Sequence, residues 1–123
     1  MTLNGKRILV VEDEYLIATD LKRSLTDRGA EVVGPVGDLG RGLALARLGG
    51  LDAAVLDVNL EGDASFPIAE VLMESGVPFV FLTGYDAWAL PETYAGMPTL
   101  AKPYSNAAVL NAVEAICSVD RAG

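Results

Sequence analysis

The chain contains no histidine and a single cysteine, Cys117, among its 123 residues. Without histidine there is no imidazole nucleophile, general base or metal ligand. A lone cysteine excludes an intrachain disulfide. Cys117 falls in an apolar helical pattern and reads as a small buried hydrophobe. Any divalent ion would have to be held by oxygen, which points to magnesium, calcium or manganese rather than zinc. Positive charge is also scarce: 9 Lys and Arg stand against 17 Asp and Glu, a net charge of −8. Nucleic-acid surfaces need a basic patch, and none is present, so no nucleic-acid partner is expected. No apolar run approaches the ~20 residues of a membrane span. Met1 to Lys6 is polar and lacks a signal-peptide pattern. A cytoplasmic protein with no membrane partner is expected. Repeats, linkers and low-complexity stretches are lacking too.

What is present is a substantial core. Hydrophobic residues make up 51% of the chain, which excludes a disordered protein. The length suits one domain. Two aliphatic runs end abruptly in acid: Ile8-Leu9-Val10-Val11 meets Glu12-Asp13, and Ala53-Ala54-Val55-Leu56 meets Asp57. Such runs read as strands buried on both faces, as in parallel sheets.

Strand and helix patterns alternate along the chain. Strands are expected at about Arg7 to Val11, Glu31 to Val36, Asp52 to Asp57, Pro78 to Thr83 and Pro98 to Ala101. Between the first two, Leu16/Ile17, Leu21 and Leu25 mark one face of a helix from Glu14 to Arg28 that Gly29 stops. Asp38 is placed to cap a second helix that runs to Gly49-Gly50, and a third spans about Ser65 to Ser75. The last helix follows Ser105. Tyr85 to Met97 is interrupted by Pro91, so the fourth helix should be short or irregular. The glycines at 34, 37, 40 and 42 fit no nucleotide-binding spacing and read as turn and helix-start residues.

This alternation implies an α/β fold: a doubly wound five-stranded parallel sheet with helices on both faces. Pro35 lies inside the second strand and Pro98 opens the fifth. Proline cannot donate to a ladder, so both strands belong at edges. The flavodoxin-like order 2-1-3-4-5 satisfies this and sets strands one and three side by side. Glu12, Asp13 and Asp57 then meet at the carboxyl edge, where open sheets bind ligands.

Three carboxylates together repel unless a cation sits among them. Asp13 and Asp57 could ligate magnesium directly, Glu12 directly or through water, with a backbone carbonyl near Asn59 as a further ligand. An attack by Asp57 on a phosphoryl donor would give an aspartyl phosphate. Thr83 and Lys102, at the ends of the fourth and fifth strands, are placed to hold the transferred group. Taken alone, Glu12-Asp13 reads as a helix cap and Lys102 as a solvated lysine. Their company makes the site.

The segments Val10-Val11-Glu12-Asp13-Glu14, Leu56-Asp57-Val58-Asn59-Leu60, Leu82-Thr83-Gly84 and Lys102-Pro103-Tyr104, in this order, resemble the receiver domain of two-component response regulators over the full length. The resemblance implies a single domain, residues 1–123, with Asp57 as phosphoacceptor from the phosphohistidine of a sensor histidine kinase or phosphotransfer protein. It implies Mg²⁺, with Mn²⁺ as a substitute, at Asp13, Asp57 and the Asn59 carbonyl with Glu12 nearby. It also implies a cis Lys102–Pro103 peptide. Gly76 to Tyr85, with Asp57 to Leu60 and Pro67, further resembles the alphaproteobacterial single-domain receivers with a Phe-Ala-Thr-Gly-Tyr-like signature, with Leu82 in place of Ala. Those proteins have no output domain, so a phosphate sink or a phosphorylation-dependent switch with other signalling partners is expected. Most receivers carry an aromatic switch three residues before the lysine; here it is Thr99. Thr83, Tyr85, Thr99 and Tyr104 are the candidate switch residues, with Tyr85 a substitute gate. Tyr104 also reads as a half-buried aromatic with a hydrogen-bonded hydroxyl.

Two other functions compete. One is an aspartyl-phosphate phosphatase acting on a small phosphate ester. That chemistry usually needs an acid two residues after the nucleophile, where this chain has Asn59, and a cap for which there is no room. The other is a degenerate receiver that only binds partners, against which the complete site argues. The expectation is a signalling switch, not an enzyme acting on an external substrate.

Overall fold

The computed structural model describes residues 3–84 and 90–117. In chain order these form β1 (Arg7–Val11), α1 (Tyr15–Asp27), β2 (Glu31–Val36), α2 (Leu39–Leu48), β3 (Ala53–Asp57), β4 (Asn59–Leu60), β5 (Asp63–Ala64), α3 (Phe66–Glu74), β6 (Phe79–Thr83), a 3₁₀ turn (Glu92–Tyr94), β7 (Thr99–Ala101) and α4 (Asn106–Cys117). The main sheet is parallel, in the order β2-β1-β3-β6-β7. Counting only its own strands, this is the expected 2-1-3-4-5. Both prolines fall on edge strands: Pro35 within β2 and Pro98 just before β7. There a missing N–H leaves no ladder partner stranded.

Side chains alternate across the sheet as the strand period of two requires. Ile8, Val10, Val55, Val80 and Leu82 face α1 and α4, where they pack with Leu21, Leu25, Val109 and Val113. Leu9, Val11, Leu56, Phe79 and Phe81 face α2 and α3, with Ala46, Ile68 and Leu72. Every residue of β3 is buried, so this central strand anchors both layers.

The helices start and stop for local reasons. Asp38 caps α2 by accepting the Arg41 N–H at 2.8 Å, as expected. Gly42 lies in the second turn of α2, not at a turn or helix start. A Cβ there would stand 2.5 Å from Ile68 Cδ1, so the missing side chain lets α2 and α3 approach. Gly34 also departs from expectation. It sits inside β2 at φ +95°, where the register with β1 slips between Leu9 and Val11. The peptides before Pro35 and Pro103 are both cis.

Three further readings change. Leu16 is 77% exposed and leaves the helix face to Ile17, Ala18, Leu21 and Leu25. Two adjacent residues on a helix lie about 100° apart, and the inward stripe admits only one of them. Between Asp57 and α3, where the sequence assigns neither strand nor helix, the chain forms a small antiparallel hairpin, β4–β5, with Asn59 opposite Ala64. Cys117 is half-buried, at the margin of the α1/α4 core. Between β6 and β7 the described structure is the 3₁₀ turn, in keeping with a short or irregular fourth helix. Tyr85 lies outside the described residues. No described helix is long and apolar enough to cross a membrane.

Candidate functional site

Strand register brings the chemistry together. Val11 pairs with Leu56, Asp57 with Leu82, and Thr83 with Ala101. Glu12, Asp57, Thr83 and Lys102 therefore stand in neighbouring files at the carboxyl edge. The Lys102 N–H donates to the Thr83 carbonyl at 2.6 Å, locking the last two together.

Glu12 and Asp57 are 2% and 3% exposed. One oxygen from each of Glu12, Asp13 and Asp57 lies within 4.8 Å of the others. The Lys102 ammonium reaches Asp57 Oδ2 at 3.0 Å, Glu14 Oε1 at 3.0 Å and Glu12 Oε1 at 3.2 Å. Backbone donors orient the acids. The Glu14 N–H bonds Glu12 Oε2 at 3.0 Å, and the Glu61 N–H bonds Asp13 Oδ2 at 3.1 Å. The Asn59 N–H reaches Asp57 Oδ1 at 3.3 Å. The Asn59 side chain accepts the Gly62 N–H at 2.9 Å and so shapes the β4–β5 hairpin.

Burial raises the Glu12 carboxyl to about 8, aided by its hydrogen bond to Asp57 and the Asp57 charge, against the Glu14 N–H and Lys102. Burial also raises Asp57, opposed by hydrogen bonds with Glu12 and Lys102. Burial works against the Lys102 ammonium. Its bonds to Asp57 and Glu14 and the charges of Glu12 and Asp57 outweigh that and raise it above the usual lysine value. Glu12 Oε1 is buried without an aligned hydrogen-bond donor. Three carboxylate oxygens gathered at one point, with no histidine or cysteine in the cluster among the described residues, fit a hard divalent cation such as Mg²⁺.

The remaining candidates are placed less centrally. Thr83 is half-buried at the end of β6. Thr99 is exposed on β7, its hydroxyl donating to the Met97 carbonyl at 3.1 Å. The Tyr104 hydroxyl is buried with no hydrogen-bond partner among the described residues, contrary to expectation. Its ring packs against the α1/α4 core, and burial, then the Glu12 charge, push the phenol above its usual range. Two polar residues went unnoticed in the sequence. Glu14 was only part of a motif, and its bond to Lys102 spans 88 positions. Ser65, fully buried at the start of α3 with its hydroxyl unpartnered among the described residues, read only as a helix start.

This architecture recurs in known proteins. The chain is 39% identical to SdrG from Sphingomonas melonis Fr1, whose solution structure it matches with a TM-score of 0.80 over 97% of this chain and 99% of that one. The receiver domain of HemR from Leptospira biflexa is 28% identical, with a TM-score of 0.81 over 95% of this chain and 98% of that one. The transcriptional regulatory protein PdtaR of Mycobacterium tuberculosis is 33% identical over 113 residues, 89% of this chain. The chain belongs to the response-regulator receiver family. Within that family, this receiver spans about half of PdtaR, 55% of its length, and 40% of TcrA from the same organism. No protein-family model matches the chain. As a receiver, it has the fold of phosphoryl-accepting signalling domains, and its acidic cluster is compatible with Mg²⁺.

Proposed function

We propose that this receiver is a stand-alone, Mg²⁺-dependent phosphorylation switch in the cytoplasm, with Asp57 as its phosphoacceptor. The observation that carries the reading is a nearly buried Asp57 clustered with two acids and with an ammonium 3.0 Å away. An Asp57 carboxylate oxygen attacks the phosphorus of a kinase or phosphotransfer-protein phosphohistidine. The O–P bond forms as the P–N bond breaks. The imidazole nitrogen leaves with the electron pair and takes a proton from solvent. Lys102 balances charge on the transferred group, and the Thr83 hydroxyl donates to one of its oxygens. Asp13, Asp57, the Asn59 carbonyl and Glu12, directly or through water, would hold Mg²⁺ or Mn²⁺, which supplies charge neutralisation on the phosphoryl oxygens when bound. Hydrolysis of the Asp57 phosphate by water returns the free carboxylate.

The phosphorylated form is proposed to bind other signalling proteins or to drain phosphate from the kinase, with no turnover of an external ester. Phosphotransfer from a panel of kinases should label the wild type and not Asp57→Asn, and chelation of Mg²⁺ should stop labelling. Label on the Asp57→Asn protein would overturn the assignment. Steady release of phosphate from a small ester would favour a phosphatase instead.

A further inference from the structure

Glu14 occupies the N-cap position of α1 yet does not cap it: its side chain bonds none of the first-turn amides. Short acceptors do that work well, and glutamate is a methylene too long. Its backbone is pinned by the N–H bond to Glu12 Oε2. From there the side chain crosses to the lysine, with Oε1 3.0 Å from Lys102 Nζ.

An ammonium has three donors, and here three carboxylates stand within reach: Glu12, Glu14 and Asp57. A phosphoryl group on Asp57 needs one of those donors. The side chains of Glu12 and Asp57 are 0% and 5% exposed and fixed in the site, whereas that of Glu14 is 58% exposed. Glu14 is therefore the partner that water can most easily replace. Beside this pair lies a cleft of about 420 Å³ lined by Glu14, Ile17, Asp20, Lys102, Tyr104 and Asn106, which gives the ammonium and its partner room to move.

We propose that Glu14 is a positioning residue that tethers Lys102 toward solvent and competes with the phosphoryl group for its ammonium. The inference rests on the phosphoacceptor reading of Asp57 and adds a control on its rate. Exchange of one N–H between Glu14 and the phosphoryl oxygen then tunes how fast Asp57 is modified.

The test uses acetyl phosphate and Mg²⁺, where the P–O bond to acetate breaks as the Asp57 O–P bond forms. Labelling rates are compared for wild type, Glu14→Gln and Glu14→Asp, with the Lys102 ¹⁵Nζ resonance of each unphosphorylated protein as a second readout. Glu14→Asp keeps the charge and shortens the reach. Both variants should label roughly two- to five-fold faster, as release of an exposed ion pair allows, and both should shift the Lys102 resonance. Acceleration in Glu14→Gln alone would mean a diffuse charge effect and overturn the tether. An unshifted resonance, or a shifted one with unchanged rates, would overturn it too. A wild type that takes no label at all defeats the phosphoacceptor reading, and the competition with it.

Discussion

On one face of the sheet, polar ties join α1 and α4 around their apolar contact; on the other, rings join α3 to β6 and the 3₁₀ turn, and a missing side chain lets α2 meet α3. Arg28 pairs with Glu114, Asn106 Nδ2 donates to Ser24 Oγ at 3.0 Å, and Glu14 holds Lys102 in the loop before α4. Across the sheet, Phe66 stacks on Tyr94 at 5.6 Å and meets Phe81 edge-on at 6.0 Å, while Phe79 and Phe81 meet at 5.2 Å. Gly42 admits Ile68 beside them. Exposed polar ties are directional but weak, whereas buried rings contribute most of their energy whatever the angle of approach. The polar face thus fixes how α4 sits on α1 and where the lysine points. The aromatic cluster holds α3 and the 3₁₀ turn to the sheet.

Three measurements bear on this contrast. Phe81→Ala should destabilise the protein by about 3–5 kcal/mol in urea denaturation, with little salt dependence. A loss below about 1 kcal/mol would show that the ring cluster does not hold its face. The acids between the faces should respond to pH. Glu12 is raised from 4.5 to about 8, so the folded chain keeps a proton that the unfolded chain has lost. Its stabilisation is complete below about pH 4.5 and is lost as pH rises to about 8. In divalent-free buffer, the stability difference between wild type and Glu12→Gln should shift across that window by up to roughly 1.4 kcal/mol per pH unit. A flat difference would mean that Glu12 is ionised throughout. The smallest effect belongs to the polar face. Arg28→Gln should cost about 1 kcal/mol or less and fade in 1 M salt. A large, salt-independent loss there would erase the distinction between the faces.

The strand order was legible because Pro35 and Pro98 each forbid a central strand, and the acids because each follows an uninterrupted aliphatic run. Patterns with a period, such as Leu21 and Leu25, carried over directly. What escaped was non-local or too short to have a period. Leu16 and Ile17 cannot be ranked until the sheet sets the helix rotation. Two-residue strands such as β4 and β5 show no alternation to read. The reach of Glu14 to Lys102 depends on how β1 and β7 end in space, and the unpartnered Tyr104 hydroxyl on how its ring packs. Neither local composition nor spacing encodes them.

The β4–β5 hairpin offers a practical handle. Its base is closed by the Ser65 N–H bonding the Val58 carbonyl at 2.9 Å, and Leu60 is buried, while Glu61, Gly62 and Asp63 at the tip are exposed. A segment spliced between Gly62 and Asp63 would leave both clamped ends in place, since doubling a loop costs only about 0.6 kcal/mol. A fluorescent reporter grafted there would ride a few residues from Asp57 and give this receiver an optical output of its own.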